Sequence, residues 1–245
     1  MNFLTETVIG ILLPFVGTTV GAATVFFMKN RGNPRFHRAM LGFAAGVMTA
    51  ASVWSLLIPS IESAGSWIPA VTGFLVGTAA MTALDAVVPT PEPNKEPKLG
   101  ENLLLFIAVT LHNIPEGMAV GVAFAGAISG VLPISEALTL SIGISVQNFP
   151  EGTIISAPLV TDGMNKRKAF AYGVLSGAVE PVASIITVLL TWLVAPILPF
   201  VLSFAAGAMI YVVSQELIPE AKSRIGTAGT AVGFALMMML DVAMG

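Results

Sequence analysis

The sequence predicts an all-α polytopic membrane protein. Eight transmembrane helices in a three-plus-two-plus-three inverted-repeat arrangement form a single domain over residues 1–245. Three observations lead there. Of the 245 residues 55% are hydrophobic and 10% are charged, against roughly 25% charged in an average soluble domain. Eight mostly apolar runs of membrane-crossing length follow one another with short connections. All eleven Lys and Arg fall around alternate connections. This composition, with a mean hydropathy of +0.87, excludes an ordinary soluble globule, a disordered tail and a nucleic-acid binder. The lack of cysteine excludes disulfides, thiolate metal sites and cysteine nucleophiles.

The runs are taken in order. Residues 4–28 follow a start without a basic region and run too long for a signal peptide, so they are expected to remain as a helix. Residues 38–60 and 68–89 follow, rich in glycine and alanine. Residues 101–127 and 133–158 are the two runs that carry polar motifs. Residues 169–191, 198–218 and 227–244 complete the set. Between the third and fourth runs, Thr90-Pro91-Glu92-Pro93-Asn94-Lys95-Glu96-Pro97-Lys98 reads as an extended, solvated linker.

The cations fix the orientation expected. Lys29, Arg31, Arg35 and Arg38 lie around the first connection, Lys95 and Lys98 in the third, Lys166, Arg167 and Lys168 in the fifth, and Lys222 and Arg224 in the seventh. Under the positive-inside rule, 29–37, 90–100, 159–168 and 219–226 are cytoplasmic and both termini are outside. A miscounted span near the middle would scatter these charges over both faces.

The chain repeats internally. Phe43-Ala44-Ala45-Gly46-Val47-Met48 matches Phe204-Ala205-Ala206-Gly207-Ala208-Met209, and Leu57-Ile58-Pro59 matches Leu217-Ile218-Pro219. Gly73, Gly77, Met81, Leu84 and Asp85 in span three recur as Gly229, Gly233, Met237, Leu240 and Asp241 in span eight. Leu111-His112-Asn113-Ile114-Pro115-Glu116-Gly117 in span four is echoed by Val146-Gln147-Asn148-Phe149-Pro150-Glu151-Gly152 in span five. Each matched pair is an odd number of spans apart, so its members cross in opposite directions. Inverted repeats of this kind belong to transporters with a midplane site at the repeat interface.

Ionisable groups deep in a bilayer cost about 3 kcal/mol or more and are functional candidates by default. His112, Asn113 and Glu116 fall on one face of span four, three and four residues apart. Gln147, Asn148 and Glu151 do the same on span five, and Glu180 lies beside Pro181 in span six. Pro115 and Pro150 are expected to interrupt their helices and free the carbonyls of Leu111 and Val146. A mixed oxygen and nitrogen set of this kind, with the Met48 thioether as a further ligand or as packing, suits a divalent cation. Imidazole favours zinc, iron, nickel or copper, whereas carboxylates alone suit magnesium or manganese. Glu180 is either a ligand or a proton carrier.

The motif His112-Asn113-Ile114-Pro115-Glu116-Gly117 resembles the span-four signature of the ZIP (Zrt/Irt-like protein) family of divalent metal transporters. The number of spans, the outside termini and the three-two-three repeat match that family over essentially the whole chain. The resemblance implies a two-metal centre. One ion is held by His112, Glu116, Gln147 and Glu151, with Met48 from span two. The other is held by Asn113, Glu116, Asn148, Glu151 and Glu180. Many eukaryotic relatives carry histidine and aspartate at the positions of Gln147 and Asn148. The neutral amides here match the bacterial-type branch, which implies a bacterial inner (plasma) membrane. No histidine-rich stretch stands in the 90–100 connection. The resemblance further implies zinc, with cadmium, iron or manganese as other substrates, and a homodimer. No cofactor is expected beyond the transported ion, and the partners are that ion and the lipid bilayer.

Topology assigns the approaches. Glu62 and Asp241 at the outer ends of spans two and eight are expected at the entrance, where no cation competes. Asp85 and Glu216 near the inner ends of spans three and seven are expected at the exit. A rival reading is a proton-coupled exchanger of small organic solutes using Glu116, Glu151 and Glu180, which gives His112 and the amides no purpose. A second rival, an intramembrane enzyme, lacks both His-Glu-x-x-His and Gly-x-Ser-x-Gly.

Overall fold

The computed structural model describes residues 2–28, 34–87, 99–161 and 163–244. Of the side chains in the helices, those of 87, 99–105, 107–109 and His112 lie outside the described set. The described chain is helical, without a strand among the described residues. Eight spans follow the expected order: Phe3–Phe26, Pro34–Ala64, Trp67–Val87, Leu99–Ile128, Ile134–Thr161, Lys166–Leu189, Thr191–Ala221 and Arg224–Met244. Among the described residues, six helices are long and apolar enough to cross a membrane. Span five is not one of them, because Glu136, Gln147, Asn148 and Glu151 dilute its apolar run.

Local chemistry explains where the spans start and bend. The Asn2 side chain caps span one by accepting from the Thr5 N–H at 2.9 Å, and Asn165 caps span six by accepting from the Arg167 N–H at 2.9 Å. Gly65 ends span two with φ of 59°, a left-handed cap that glycine adopts without steric cost. Spans two and seven each widen into a π-helical stretch, Ser52–Leu57 and Val213–Leu217, just before Pro59 and Pro219. A proline clashes with the carbonyl four residues back, and the wider turn relieves that clash. Span six breaks at Ala178, between Lys166–Gly177 and Val179–Leu189. Pro181 accounts for this break, because it lacks the N–H that the Gly177 carbonyl would accept.

The expected interruptions at Pro115 and Pro150 do not occur. Both helices run on through their prolines, Leu99–Ile128 and Ile134–Thr161. Membrane helices tolerate an internal proline where neighbouring spans pack against them, as spans one and six do here.

The spans sort into two bundles. Spans one, four, five and six pack together, with one against five and four against six. Spans two and eight pair, spans three and seven pair, and two meets seven. The bundles meet where two packs on five and seven on four. The pairs are set by glycine. A Cβ at Gly46 would come within 2.1 Å of the Thr230 carbonyl, and one at Gly233 within 2.1 Å of the Phe43 carbonyl. In the other pair, Gly207 and Gly77 stand in the same relation to the carbonyls of Phe74 and Phe204, at 2.1 and 2.0 Å. Gly46 matches Gly207 and Gly233 matches Gly77 in the sequence repeat, so the two contacts are one contact used twice in opposite directions. Backbones this close gain dispersion contacts where no hydrophobic driving force acts between helices in lipid.

Candidate functional site

The polar residues expected at the midplane converge inside the bundle of spans one, four, five and six. Asn113, Glu116, Gln147, Asn148 and Glu180 are all buried, none more than 1% exposed. Glu151 lies beside them, half-buried. The backbone of His112 continues span four one turn before Glu116, while its side chain lies outside the described residues.

The five buried side chains each have a partner. The Gln147 Nε2 donates to Glu116 Oε1 at 2.6 Å and to Asn148 Oδ1 at 3.2 Å. The Asn148 Nδ2 donates to Glu180 Oε2 at 2.8 Å and to the Pro14 carbonyl at 3.4 Å. The Thr18 hydroxyl, from span one, donates to the other Glu180 oxygen at 2.9 Å. The Asn113 Nδ2 donates to the Ser176 carbonyl at 3.0 Å. That carbonyl stands in the last turn before the break at Ala178, where helix carbonyls lack an intrahelical donor.

The glycine in each motif brings the neighbours in. A Cβ at Gly117 would lie 2.3 Å from the Glu180 carbonyl, and one at Gly152 would lie 2.0 Å from the Thr18 carbonyl. The two glycines therefore admit the backbones of spans six and one. Those spans deliver Glu180 and Thr18, which then bond each other.

Among the described residues, three buried acceptor oxygens in this cluster have no hydrogen-bond partner: Asn113 Oδ1, Glu116 Oε2 and Gln147 Oε1. Burying an unpaired polar oxygen costs about 1–3 kcal/mol. Three such oxygens in one cluster, with carboxylates that feel one another's charge (Glu116 with Glu180, Glu151 with Glu116), fit a cation. Oxygen and amide donors suit a hard or borderline divalent ion. No three His, Asp or Glu side chains are close enough to form a ready cage among the described residues. The amide oxygens of Asn113 and Gln147 stand free beside the Glu116 carboxylate among the described residues and are available to a coordination shell.

Met48, the one candidate from the other bundle, is buried in the apolar cluster that also holds Val120, Phe124, Leu140 and Ile144. Of the expected entrance residues, Asp241 accepts from the Ser55 hydroxyl at 2.6 Å and Glu62 is exposed. Glu136, which sequence reasoning missed, is an electrostatic neighbour of both. Asp241 Oδ2 and Glu136 Oε2 are likewise buried without a partner. Of the expected exit residues, Asp85 accepts from the Tyr211 hydroxyl at 2.8 Å. Glu216 lies in the π-helical stretch and is a charge neighbour of Glu151.

This geometry is a buried polar cluster that fits a cation in a polytopic helical protein, and comparison with known sequences decides the family. A family profile described as ZIP zinc transporter matches residues 95–241. The chain belongs to the ZIP family. It is 36% identical to the protein named zinc transporter ZIP11 of Xenopus tropicalis, over 98% of this chain and 97% of that one. It is 37% identical to zinc transporter ZIPB of Bordetella bronchiseptica, over 97% of this chain and 81% of that one. It is 33% identical to zinc transporter ZupT of Chlorobium phaeovibrioides, over 98% of each. Membership marks the chain as an integral membrane metal transporter and not an enzyme.

Proposed function

We propose that this ZIP-family protein moves zinc, with cadmium, iron or manganese as further substrates, into the cytoplasm across a bacterial inner membrane. The observation that carries this is the group of three unpartnered, buried oxygens on Asn113, Glu116 and Gln147. The zinc transport named in its relatives supports the choice of ion. The alternation of cationic connections supports the orientation, with both termini outside.

The ions occupy two adjacent positions. His112, Glu116, Gln147 and Glu151 hold the first, with Met48 joining where the bundles meet. Asn113, Glu116, Asn148, Glu151 and Glu180 hold the second. Filling the second position turns the Asn148 amide away from Glu180, so that its oxygen faces the ion. Entry runs past Glu62 and Asp241, and exit past Glu216 and Asp85. Alternating access follows from the division of labour: the bundle of spans one, four, five and six carries the ion and rocks against spans two, three, seven and eight. The working unit is a homodimer.

The test is zinc uptake by the purified protein in proteoliposomes. Uptake should saturate and should vanish in Glu116→Ala and in Glu151→Ala, while both variants keep the wild-type elution volume. Uptake near the wild-type rate in either variant would remove the shared carboxylate from the mechanism. A cysteine pair linking the outer halves of spans two and five should stop transport; full transport with that link closed would favour a channel.

A further inference from the structure

At the end of the molecule that carries the cations, the seam between the bundles opens into a cavity of about 440 Å3. Span two contributes His37 and Arg38 to its wall, and the end of span five contributes Pro158 and Thr161. Met28 and Glu220 complete the polar and sulfur-bearing part of the lining. His37 is one of only two histidines in the chain, and the midplane motif uses the other. An imidazole, a carboxylate and a thioether in one small cavity are ligands that borderline divalent metals select.

The cavity is also connected to the midplane by charge. Glu151 is an electrostatic neighbour of Glu216, and Glu216 is one of Glu220. Carboxylates therefore step from the buried site, along span seven, to the wall that His37 shares. Arg38 stands beside His37 and repels a cation there. A site so placed holds an ion weakly and lets it go, as release requires.

We propose that this cavity is a release station for the transported ion, in which the His37 imidazole and the Glu220 carboxylate take a borderline divalent metal from Glu216 before it leaves. The proposal rests on the transport reading above and adds a site outside the midplane centre. Thr161 and Met28 line the pocket beside them.

The experiment separates the two sites. The full chain carrying Glu116→Gln and Glu151→Gln, which disable the midplane, is purified in detergent and titrated with Co2+. The visible absorption of Co2+ reports its ligation. One Co2+ per chain should still bind, and His37→Ala or Glu220→Gln should weaken it at least tenfold without changing the elution volume. His37→Gln serves where the alanine variant fails to fold. Absence of any remaining Co2+, or binding that neither substitution weakens, overturns the station. In the chain with an intact midplane, His37→Ala should keep the midplane Co2+ and slow zinc delivery into proteoliposomes severalfold. Delivery at the wild-type rate overturns the station as well. Failure of the unchanged chain to take up zinc would instead overturn the transport reading, because the Co2+ titration does not depend on uptake.

Discussion

The two copies of the Asn-x-Pro-Glu-Gly motif occupy matching places and hold different partners. In span four, Asn113 gives its amide hydrogens to a backbone carbonyl, that of Ser176, and keeps its oxygen unpartnered. In span five, Asn148 gives its amide hydrogens to the Glu180 carboxylate and takes one from Gln147 on its oxygen. The repeat thus duplicates a scaffold without duplicating its chemistry. A backbone partner is fixed and neutral, so Asn113 is anchored with its oxygen free of described partners. On the transport reading, the Glu180 carboxylate is a ligand, so Asn148 ties up the group that an ion would use. On the transport reading, the span-four half is ready to bind and the span-five half must first let go.

The strongest way to break this comparison is to remove its carboxylates one at a time. Glu116 accepts from Gln147 in a fully buried place, whereas Glu151 is half-buried. Both Glu116→Ala and Glu151→Ala are expected to abolish zinc uptake. Only Glu116→Ala strands a buried donor, at a cost of about 1–3 kcal/mol. Melting of the purified variants should therefore rank Glu116→Ala below Glu151→Ala. Equal melting would mean that the Gln147 bond contributes nothing.

The next test is steric. Gly117→Ala and Gly152→Ala each push a Cβ against a backbone carbonyl, of Glu180 and Thr18 respectively, at 2.3 and 2.0 Å. Backbone cannot move aside as a side chain can, so each should cost about 1–3 kcal/mol or more. Ala79→Val, on a lipid-facing position of span three, should cost far less. Thermal retention of the monodisperse species checks all three, and parity with Ala79→Val would show that the spans adjust freely.

Much of this was legible in sequence, for physical reasons. The all-helical, membrane-spanning order of the chain follows from the cost of placing charge in hydrocarbon, which leaves Lys and Arg at the ends of the spans. The paired motif follows from helical spacing. The partners that hold its side chains were not legible. Thr18 sits among glycines and threonines like any packing residue, and the close contacts at Gly152 and Gly177 bring it to Glu180. The Ser176 carbonyl carries no side-chain signal at all. The proline rule predicted breaks at Pro115 and Pro150, where neighbouring spans keep the helix whole. The same rule, applied to Pro181, would have located the break at Ala178 beside Glu180. Ser55 and Glu136 join Asp241 and Glu62 only through the fold.

Charge sharpens the comparison further. Asn148→Asp adds a carboxylate next to Glu180 and removes the donor that holds it. The site then repels itself when empty and gains a ligand when full. We expect tighter Zn2+ binding at the second position, by about tenfold for each 1.4 kcal/mol gained, and slower turnover because release becomes costly. Asn113→Asp should act in the other direction on folding, since it loses the donor to the Ser176 carbonyl. Isothermal titration on both variants distinguishes them. Unchanged affinity and rate in Asn148→Asp would remove Asn148 from the ligand set.

The smallest expected effect isolates one bond in the span-five half. From a fully buried position the Thr18 hydroxyl donates to Glu180 Oε1 at 2.9 Å, with the Pro14 carbonyl a more distant acceptor at 3.3 Å. Thr18→Val keeps the shape and removes the hydroxyl, a change worth about 1 kcal/mol for a typical hydrogen bond. In the empty protein Glu180 then has one oxygen released, held only by Asn148 on the other. An ion arriving at the second position no longer has to displace the hydroxyl, so its affinity should rise about fivefold, while the first position, built on His112, Glu116, Gln147 and Glu151, should not change. Thr18→Ser restores the donor and should restore the original affinity, which a purely packing role for Thr18 would not do. Two-step Cd2+ titration of the three proteins reads both positions at once. An equal change at both steps, or no recovery in Thr18→Ser, would mean that Thr18 supports the packing of span one against span five and does not hold Glu180 for the ion.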